Sequence, residues 1–340
     1  MVCLGPVKAD REQEQRAPTR ASALWITGKE RAELRDEALP QLGPGQVLVR
    51  TVYSAVSRGT ESLVFRGLVP ESEYARMRCP HQAGEFPGPV KYGYSSVGRV
   101  LAGPDALVGQ LVFCLHPHQT AYVVDEGAVL PLPDGVPPER AVLAANLETA
   151  VNACWDALPR VGDRVSVVGA GVVGSLVAYL MAGIPGVDVE LIDVRPEQSA
   201  VAAAFGARFR LPAAASAGRD LVVHASATEA GLRRCLELAA PGASVLELSW
   251  FGATEVTLPL GGAFHVARLA LRSSQVGTLS PAARPRFTHR ERLALALALT
   301  ADARLDVLFG PNTTFVDLPA ALASLAREPR SGACQRVEYP

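Results

Sequence analysis

One short stretch of this chain, residues 55–62 (AVSRGTES), places four chemically different groups side by side. Arg58 supplies a cation, Gly59 a flexible joint, Thr60 a hydroxyl and Glu61 a carboxylate, directly after a run rich in Val, Tyr and Thr that is typical of a strand. A catalytic turn and a structural turn both fit this order. In the structural alternative, Arg58 pairs with Glu61 and Thr60 caps a following helix.

A second stretch, VVGAGVVG, has the spacing G-x-G-x-x-G at Gly169, Gly171 and Gly174. It lies between a predicted strand and a predicted helix. The first glycine allows a tight turn, the second lets the backbone approach a pyrophosphate, and the third allows close packing of helix on strand. Val172 and Val173 open the helix, whose N-terminus would face the phosphates. The pattern predicts dinucleotide binding.

Asp193 supports the same interpretation because it ends the next predicted strand, VELID, about twenty residues after the glycines. A carboxylate there can accept hydrogen bonds from both ribose hydroxyls, and it repels a 2′-phosphate, so the sequence favours NAD over NADP. Arg195 leaves NADP open. After the strand in RDLVVHAS, Ala225 is expected beside the cofactor, and His224 is either close to the cofactor or buried and satisfied by the backbone.

The elements that would position these groups fall into two kinds. Up to about residue 145 the chain consists of short strand-like runs separated by Pro and Gly turns, which predicts a β-rich domain. From about residue 164, apolar strands alternate with helices, which predicts a parallel sheet covered on both faces. The fold class is therefore α/β, with LALRSSQVG as the exposed last strand of that sheet.

The composition limits the kinds of molecule that the protein is expected to bind. The chain has 33 basic and 34 acidic side chains and a net charge of −1, so no global field would attract nucleic acid or an anionic membrane, and a small-molecule substrate is expected.

Residues 165–187 carry no charge, but their glycines and a proline favour strand, turn and buried helix over a membrane span. Residues 1–20 lack the apolar centre of a secretory signal and are expected to be a mobile tail. The cysteines form no C-x-x-C pair, which favours free thiols in the cytoplasm; they are Cys3, Cys79, Cys114, Cys154, Cys235 and Cys334.

Taken together, these patterns resemble the medium-chain dehydrogenase/reductase superfamily. SRGTE is similar to its C-G-[ST]-D turn and KYGYSSVGRV to its G-H-E-x-x-G-x-V segment, with the branch that contains bacteriochlorophyllide a dehydrogenase as the best match. The resemblance implies a GroES-like catalytic domain at residues 21–150, a Rossmann domain at 151–283, and a segment at 284–340 that returns to the catalytic domain. The active site would lie in the cleft between the domains.

Members of that superfamily often hold a catalytic zinc with a cysteine, a histidine and a third Cys or Glu. The matching positions here are Arg58, Tyr94 and Ala145, and none of them offers a zinc donor, so no zinc is expected. A different metal site remains an alternative at residues that alternate along predicted strands or lie in the matching segments. These are Cys79, His81, Cys114, His116, His118, Glu61 and Glu148.

The resemblance also assigns roles. Thr60 would relay a proton to or from the substrate oxygen, and Arg58 would stabilise the charge that develops there in place of the metal. Tyr94 either adds a second hydroxyl donor or packs beneath the cofactor domain, and Glu61 completes the candidate catalytic set. The expected reaction is a zinc-independent, NAD(H)-linked interconversion of a secondary alcohol and a ketone by a homodimer. An enone or quinone reductase and a non-catalytic NAD(H)-binding protein are the alternatives.

Overall fold

Runs of Val, Tyr and Thr form antiparallel strands in the first part of the chain, as their composition predicts. The computed structural model describes residues 18–327 and 332–340, so most of the predicted tail lies outside the described residues. The strands of this part are β1 (Arg20–Gly28), β2 (Arg31–Ala38), β3 (Gln46–Val56), β4 (Ala83–Gly84), β5 (Val90–Lys91), β6 (Ser96–Ala102), β7 (Leu111–Cys114), β8 (Ala121–Asp125) and β9 (Val129–Pro131). Its helices are α1 (Arg58–Phe65), α2 (Pro138–Ala141) and α3 (Ala144–Ala157).

Alternating strands and helices then follow. They are β10 (Arg164–Val168), α4 (Val172–Ala182), β11 (Asp188–Ile192), α5 (Ser199–Ala204), β12 (Arg208–Arg210), β13 (Arg219–His224), α6 (Glu229–Leu238), β14 (Ala239–Glu247) and β15 (Ala270–Ser273). The C-terminal part contains α7 (His289–Leu299), β16 (Thr313–Thr314), α8 (Leu318–Arg327) and β17 (Gln335–Glu338). Short helical segments occur at Glu71–Glu73, Glu126–Ala128, Pro196–Gln198, Pro212–Ala214, Leu260–Phe264 and Ala303–Leu308.

The six strands β10 to β15 form one parallel sheet in the order β12-β11-β10-β13-β14-β15. This is the doubly wound order in which a dinucleotide binds where the strand order reverses, next to the first strand. Val167, Leu191 and Val223 in its central strands have no exposed surface, as expected for strands covered on both faces. The predicted α/β fold class is confirmed.

The predicted last strand is also confirmed. β15 pairs with β14 alone at one edge of the sheet, and all four of its residues are exposed. Residues 165–187 divide into β10, the glycine turn and α4. Within the described residues, no helix combines the length and apolar character needed to cross a bilayer.

The remaining strands form two sheets, ordered β2-β1-β5-β4 and β16-β17-β3-β6-β7-β9, with β8 paired to β3. β17 lies antiparallel to β3, so the end of the chain joins the sheet that precedes α1. The domain boundaries at residues 150 and 283 stay predictions. All five cysteines in the described part of the chain are free thiols.

Candidate functional site

The glycine turn joins β10 to α4 and is tightly packed at two of its three glycines. A Cβ on Gly169 would lie 2.6 Å from the backbone nitrogen of Ser226, and Gly169 has a φ of +108° that suits glycine. A Cβ on Gly174 would lie 2.0 Å from the carbonyl oxygen of Gly169. At Gly171, by contrast, a Cβ would meet nothing within 4 Å. The turn is therefore closed toward the sheet and open where a pyrophosphate would pass, which fits a dinucleotide.

The other predicted cofactor residues surround this turn. Val172 and Val173 are half-buried and begin α4, whose N-cap is Gly171. Ala225 follows β13, donates its N–H to the carbonyl of Val168 (2.8 Å), and is half-buried. The structure thus brings these predicted residues together at the carboxyl edge of the parallel sheet.

Asp193, at the end of β11, is buried beside the same turn. Its Oδ2 accepts the N–H of Ala170 (2.7 Å), and its Oδ1 accepts from the backbone N–H (3.0 Å) and Nε (2.9 Å) of Arg195. Burial opposes ionisation of the carboxyl, but the hydrogen bonds from Arg195 and Ala170 outweigh it and lower the pKa of Asp193. The carboxylate is therefore an anion beside the glycine turn, with Arg195 folded over it.

In the candidate catalytic turn, α1 begins at Arg58, and Ser57 is its N-cap residue, without a side-chain cap hydrogen bond. Thr60 is the third residue of the helix, so the alternative in which it caps the helix is wrong. Glu61 instead satisfies the helix start, because its Oε1 accepts the N–H of Ser57 (2.6 Å). Arg58 and Thr60 are half-buried at this end of the helix.

Tyr94 reaches the same turn from the segment before β6. Its hydroxyl hydrogen-bonds to the side chains of Ser57 and Thr60, and it is half-buried. Burial and, next, the nearby carboxylate of Glu61 raise the pKa of Tyr94 above its usual range. Asn146 of α3 places its Nδ2 3.4 Å from the Ser57 hydroxyl. Three hydroxyl groups, from Ser57, Thr60 and Tyr94, therefore form one cluster.

Behind this hydroxyl cluster lies a buried polar line that the sequence did not predict. With His118 protonated on Nε2, that nitrogen donates to Glu61 Oε2 (2.9 Å). Its Nδ1 then accepts from the Ser54 hydroxyl (2.7 Å), which lies 3.0 Å from the Tyr339 hydroxyl. The side chains of Glu61 and His118 are 2% and 1% exposed. One oxygen of Glu61 thus accepts from Ser57 and the other from His118.

The residues considered for a metal do not assemble into a site. Among residues 18–327 and 332–340, no group of three or more His, Cys, Asp or Glu side chains is arranged to hold a metal ion. Burial raises the pKa of Cys79 and of Cys114 to about 12, so both side chains are neutral thiols near pH 7. His116 pairs its Nδ1 with the carbonyl of Pro117 (2.9 Å), and His81 stacks on it with ring centroids 5.4 Å apart.

Glu148, the other acid considered, has a structural partner. Its Oε1 accepts from Nε of Arg292 (3.0 Å), and the two side chains are 7% and 2% exposed. Arg292 also donates to Asn152 Oδ1 (2.6 Å). This pair joins α3 to α7.

The two halves of the candidate site meet at the loop after β14. Trp250 of that loop packs against the core that contains Leu24 and Phe65 of the first part of the chain. The N–H of Ala253 donates to the carbonyl of Leu68 (3.0 Å), just beyond α1. The carboxyl edge of the parallel sheet therefore adjoins the region of α1.

No protein-family model matches the sequence. Solved structures, however, share the architecture over nearly its whole length. L-idonate 5-dehydrogenase from Escherichia coli superposes with a TM-score of 0.75 at 15% identity, covering 94% of this chain and 98% of that one. For 2R,3R-butanediol dehydrogenase from Bacillus subtilis the values are 0.74 and 16%, with 94% and 99% covered. A protein described as a short chain alcohol dehydrogenase from Escherichia coli CFT073, complexed with NADH, gives 0.74 and 16%, with 94% of this chain and 99% of that one covered. At these identities the likeness establishes the fold.

Proposed function

We propose that this protein is an oxidoreductase of the medium-chain dehydrogenase/reductase superfamily that uses NAD(H) to interconvert a secondary alcohol and a ketone without a catalytic zinc. The observation that carries the proposal is the open glycine turn with Asp193 beside it, on the sheet edge that adjoins the hydroxyl cluster of Ser57, Thr60 and Tyr94. The fold is shared with proteins named as dehydrogenases of alcohols or polyols, which supports this class of reaction.

The residues present fit a dinucleotide. The backbone from Gly169 to Gly174 would hold the pyrophosphate at the start of α4, and Asp193 would accept hydrogen bonds from ribose hydroxyls. Arg195 would have to share Asp193 with the ribose or move aside, since its fork now covers both carboxylate oxygens. When bound, the nicotinamide supplies or accepts the hydride.

The chain's own residues would manage the charge and the proton at the substrate oxygen. Because its pKa is raised, Tyr94 stays a neutral hydroxyl over the physiological range and can donate a hydrogen bond to a developing oxyanion. Thr60 shares a hydrogen bond with it and would relay the proton. Arg58, at the start of the same helix, would add a permanent cation to the stabilisation.

Zinc does not fit the matching positions. Arg58 would repel the ion, Tyr94 is held neutral, and Ala145 offers no donor atom. We therefore expect the purified protein to be active after treatment with a chelator and to contain less than stoichiometric zinc by elemental analysis. A stoichiometric zinc that is required for activity would contradict the zinc-free part of the proposal and leave the rest intact.

The reaction is tested by following NADH absorbance with panels of ketones, enones and quinones, and NAD reduction with secondary alcohols. We expect turnover with ketones and in reverse with the matching alcohols, and Tyr94→Phe to lower kcat with little change in the Kd for NADH. Turnover restricted to enones or quinones would favour the reductase alternative. Binding of NADH without turnover of any panel would favour a non-catalytic protein.

A further inference from the structure

A second line of polar side chains lies at the carboxyl ends of β13 and β14. Glu247 Oε2 is 2.7 Å from His224 Nδ1, and His224 Nε2 is 2.7 Å from the Ser226 hydroxyl. The Ser226 hydroxyl is in turn 2.9 Å from that of Thr228, which accepts the N–H of Gly231 (3.0 Å). His224 has no exposed surface, whereas Ser226 is half-buried. The line thus leads from the interior to the edge of the sheet.

One placement of hydrogens satisfies every member of this line. With a neutral His224 protonated on Nδ1, that nitrogen donates to Glu247, and Nε2 accepts the hydroxyl hydrogen of Ser226. Thr228 then donates to Ser226, because the one hydroxyl hydrogen of Ser226 is already donated to His224. Ser226 is left with its hydrogen committed inward and one lone pair available, so it can offer an acceptor to an external group.

Ser226 stands next to the candidate cofactor turn. A Cβ on Gly169 would lie 2.6 Å from its backbone nitrogen and 2.7 Å from its Cα. β10 pairs with β11 on one side and with β13 on the other, so Asp193 and Ser226 flank the glycine turn from opposite sides. A dinucleotide that crosses this edge would pass both.

We propose that Ser226 accepts a hydrogen bond from a ribose hydroxyl of the bound dinucleotide, and that His224 and Glu247 are positioning residues that fix Ser226 as an acceptor. This rests on the proposed cofactor binding. Glu247 holds the tautomer of His224, because its carboxylate can only accept. His224 in turn withdraws the hydroxyl hydrogen of Ser226 from the ligand side.

The same order of carboxylate, imidazole and serine occurs in serine hydrolases. Here, however, the hydroxyl oxygen already accepts from Thr228, and a Cβ on Gly231 would lie 2.1 Å from it. An oxygen enclosed on that side is suited to hydrogen bonding rather than to attack on a carbonyl carbon.

The test is calorimetric titration with ADP-ribose, which carries both ribose groups but cannot react. Loss of one acceptor should weaken binding by about five- to tenfold in Ser226→Ala. Ser72→Ala, an exposed serine in the first part of the chain, is the matched control and should bind as the wild type does. If Ser226→Ala does not fold, Ser226→Cys keeps a similar shape with a weak acceptor and should show the same loss. Titration with AMP then identifies the ribose, since a loss with AMP assigns the adenosine ribose and a loss with ADP-ribose alone assigns the other.

The positioning role is tested by a double-mutant cycle. His224→Gln and Glu247→Gln should each weaken ADP-ribose binding in the wild-type background and have little further effect in Ser226→Ala. Equal losses in both backgrounds would assign these residues a purely structural role and overturn the proposal. So would an unchanged affinity in Ser226→Ala and Ser226→Cys when the wild type binds ADP-ribose. If the wild type does not bind ADP-ribose at all, the proposed cofactor function fails as well.

Discussion

Arg58 is the residue on which the zinc-free mechanism depends most. It begins α1 beside Thr60, in the position where a metal ligand would stand in the superfamily that the sequence resembles. Removing a preorganised stabiliser of a developing oxyanion commonly costs roughly 10²-fold to 10³-fold in rate. We expect Arg58→Ala to lower kcat by about that factor with little change in the Kd for NADH, and Arg58→Lys to recover part of it, because an ammonium keeps the charge but not the planar fork.

A matched control for Arg58 lies at the other end of the same helix. Arg66 is the exposed C-cap residue of α1, so Arg66→Ala should retain nearly full kcat. Steady-state kinetics of the three variants, with NADH binding measured separately, compares them. Full activity in Arg58→Ala would contradict the catalytic role of Arg58 and indicate that this turn is structural.

The buried pair of Glu148 and Arg292 makes a prediction about stability and pH. Burial raises the pKa of Glu148, and Arg292 opposes that rise. Arg292→Met should lower the free energy of unfolding by roughly 3 to 5 kcal/mol, because it leaves an unpaired buried carboxylate. It should also raise the pKa of Glu148 further. A group with a raised pKa in the folded state stabilises the fold below its unfolded pKa of about 4.3 and loses that contribution as the pH rises through the folded value.

We therefore expect Arg292→Met to lower the free energy of unfolding more at pH 8 than at pH 5. Urea unfolding at both pH values measures it, and Arg292→Met combined with Glu148→Gln should recover much of the loss at pH 8. A deficit that is independent of pH, or no recovery in the double variant, would show that lost packing rather than the unpaired charge dominates.

At the scale of elements, substitutions at two positions of the glycine turn should affect cofactor binding and folding separately. Because a Cβ on Gly171 meets no atom within 4 Å and its φ is −72°, Gly171→Val should fold with nearly wild-type stability. It should still abolish NADH binding, since the new side chain would fill the path of the pyrophosphate. Gly174→Ala should instead destabilise the protein, because its Cβ would lie 2.0 Å from the Gly169 carbonyl. Thermal unfolding and NADH titration of both variants distinguish the two effects, and undiminished binding in Gly171→Val would remove the assignment.

The elements that sequence reasoning predicted well are those whose signal is local. The glycine turn, Asp193 and the last strand β15 follow from spacing and alternation over a few residues, and the structure contains them. Thr60 and Tyr94 were grouped through resemblance, and they share a hydrogen bond. The glycine turn, however, gave no information on what lies behind it.

The polar lines could not be predicted because their members are far apart in the chain. Glu61 and His118 are 57 positions apart, and His224 and Glu247 are 23 apart, so only the pairing of strands brings them together. The HPH segment suggested a metal because its histidines alternate. In the folded chain, His118 faces a carboxylate and His116 faces a carbonyl, and each has a partner that spacing does not reveal.

At the scale of the whole molecule, the open edge of the parallel sheet predicts self-association. All four residues of β15 are exposed, and an unpaired strand edge can pair with the same strand of a second copy about a two-fold axis. Leu271, in the middle of this strand, is 38% exposed. Burial of this apolar side chain against a second copy would be favourable.

We propose that the protein is a homodimer joined through β15, and sedimentation velocity tests it. The wild type should sediment as a dimer at micromolar concentrations, and Leu271→Asp should shift it toward monomer, because two carboxylates would be brought close together across the axis. Val161→Asp is the matched control, since Val161 is 76% exposed just before β10 and distant in sequence from the β15 edge. It should remain dimeric. A wild type that is monomeric throughout this range, or a Leu271→Asp variant that dimerises as strongly as Val161→Asp, would contradict an interface at this strand.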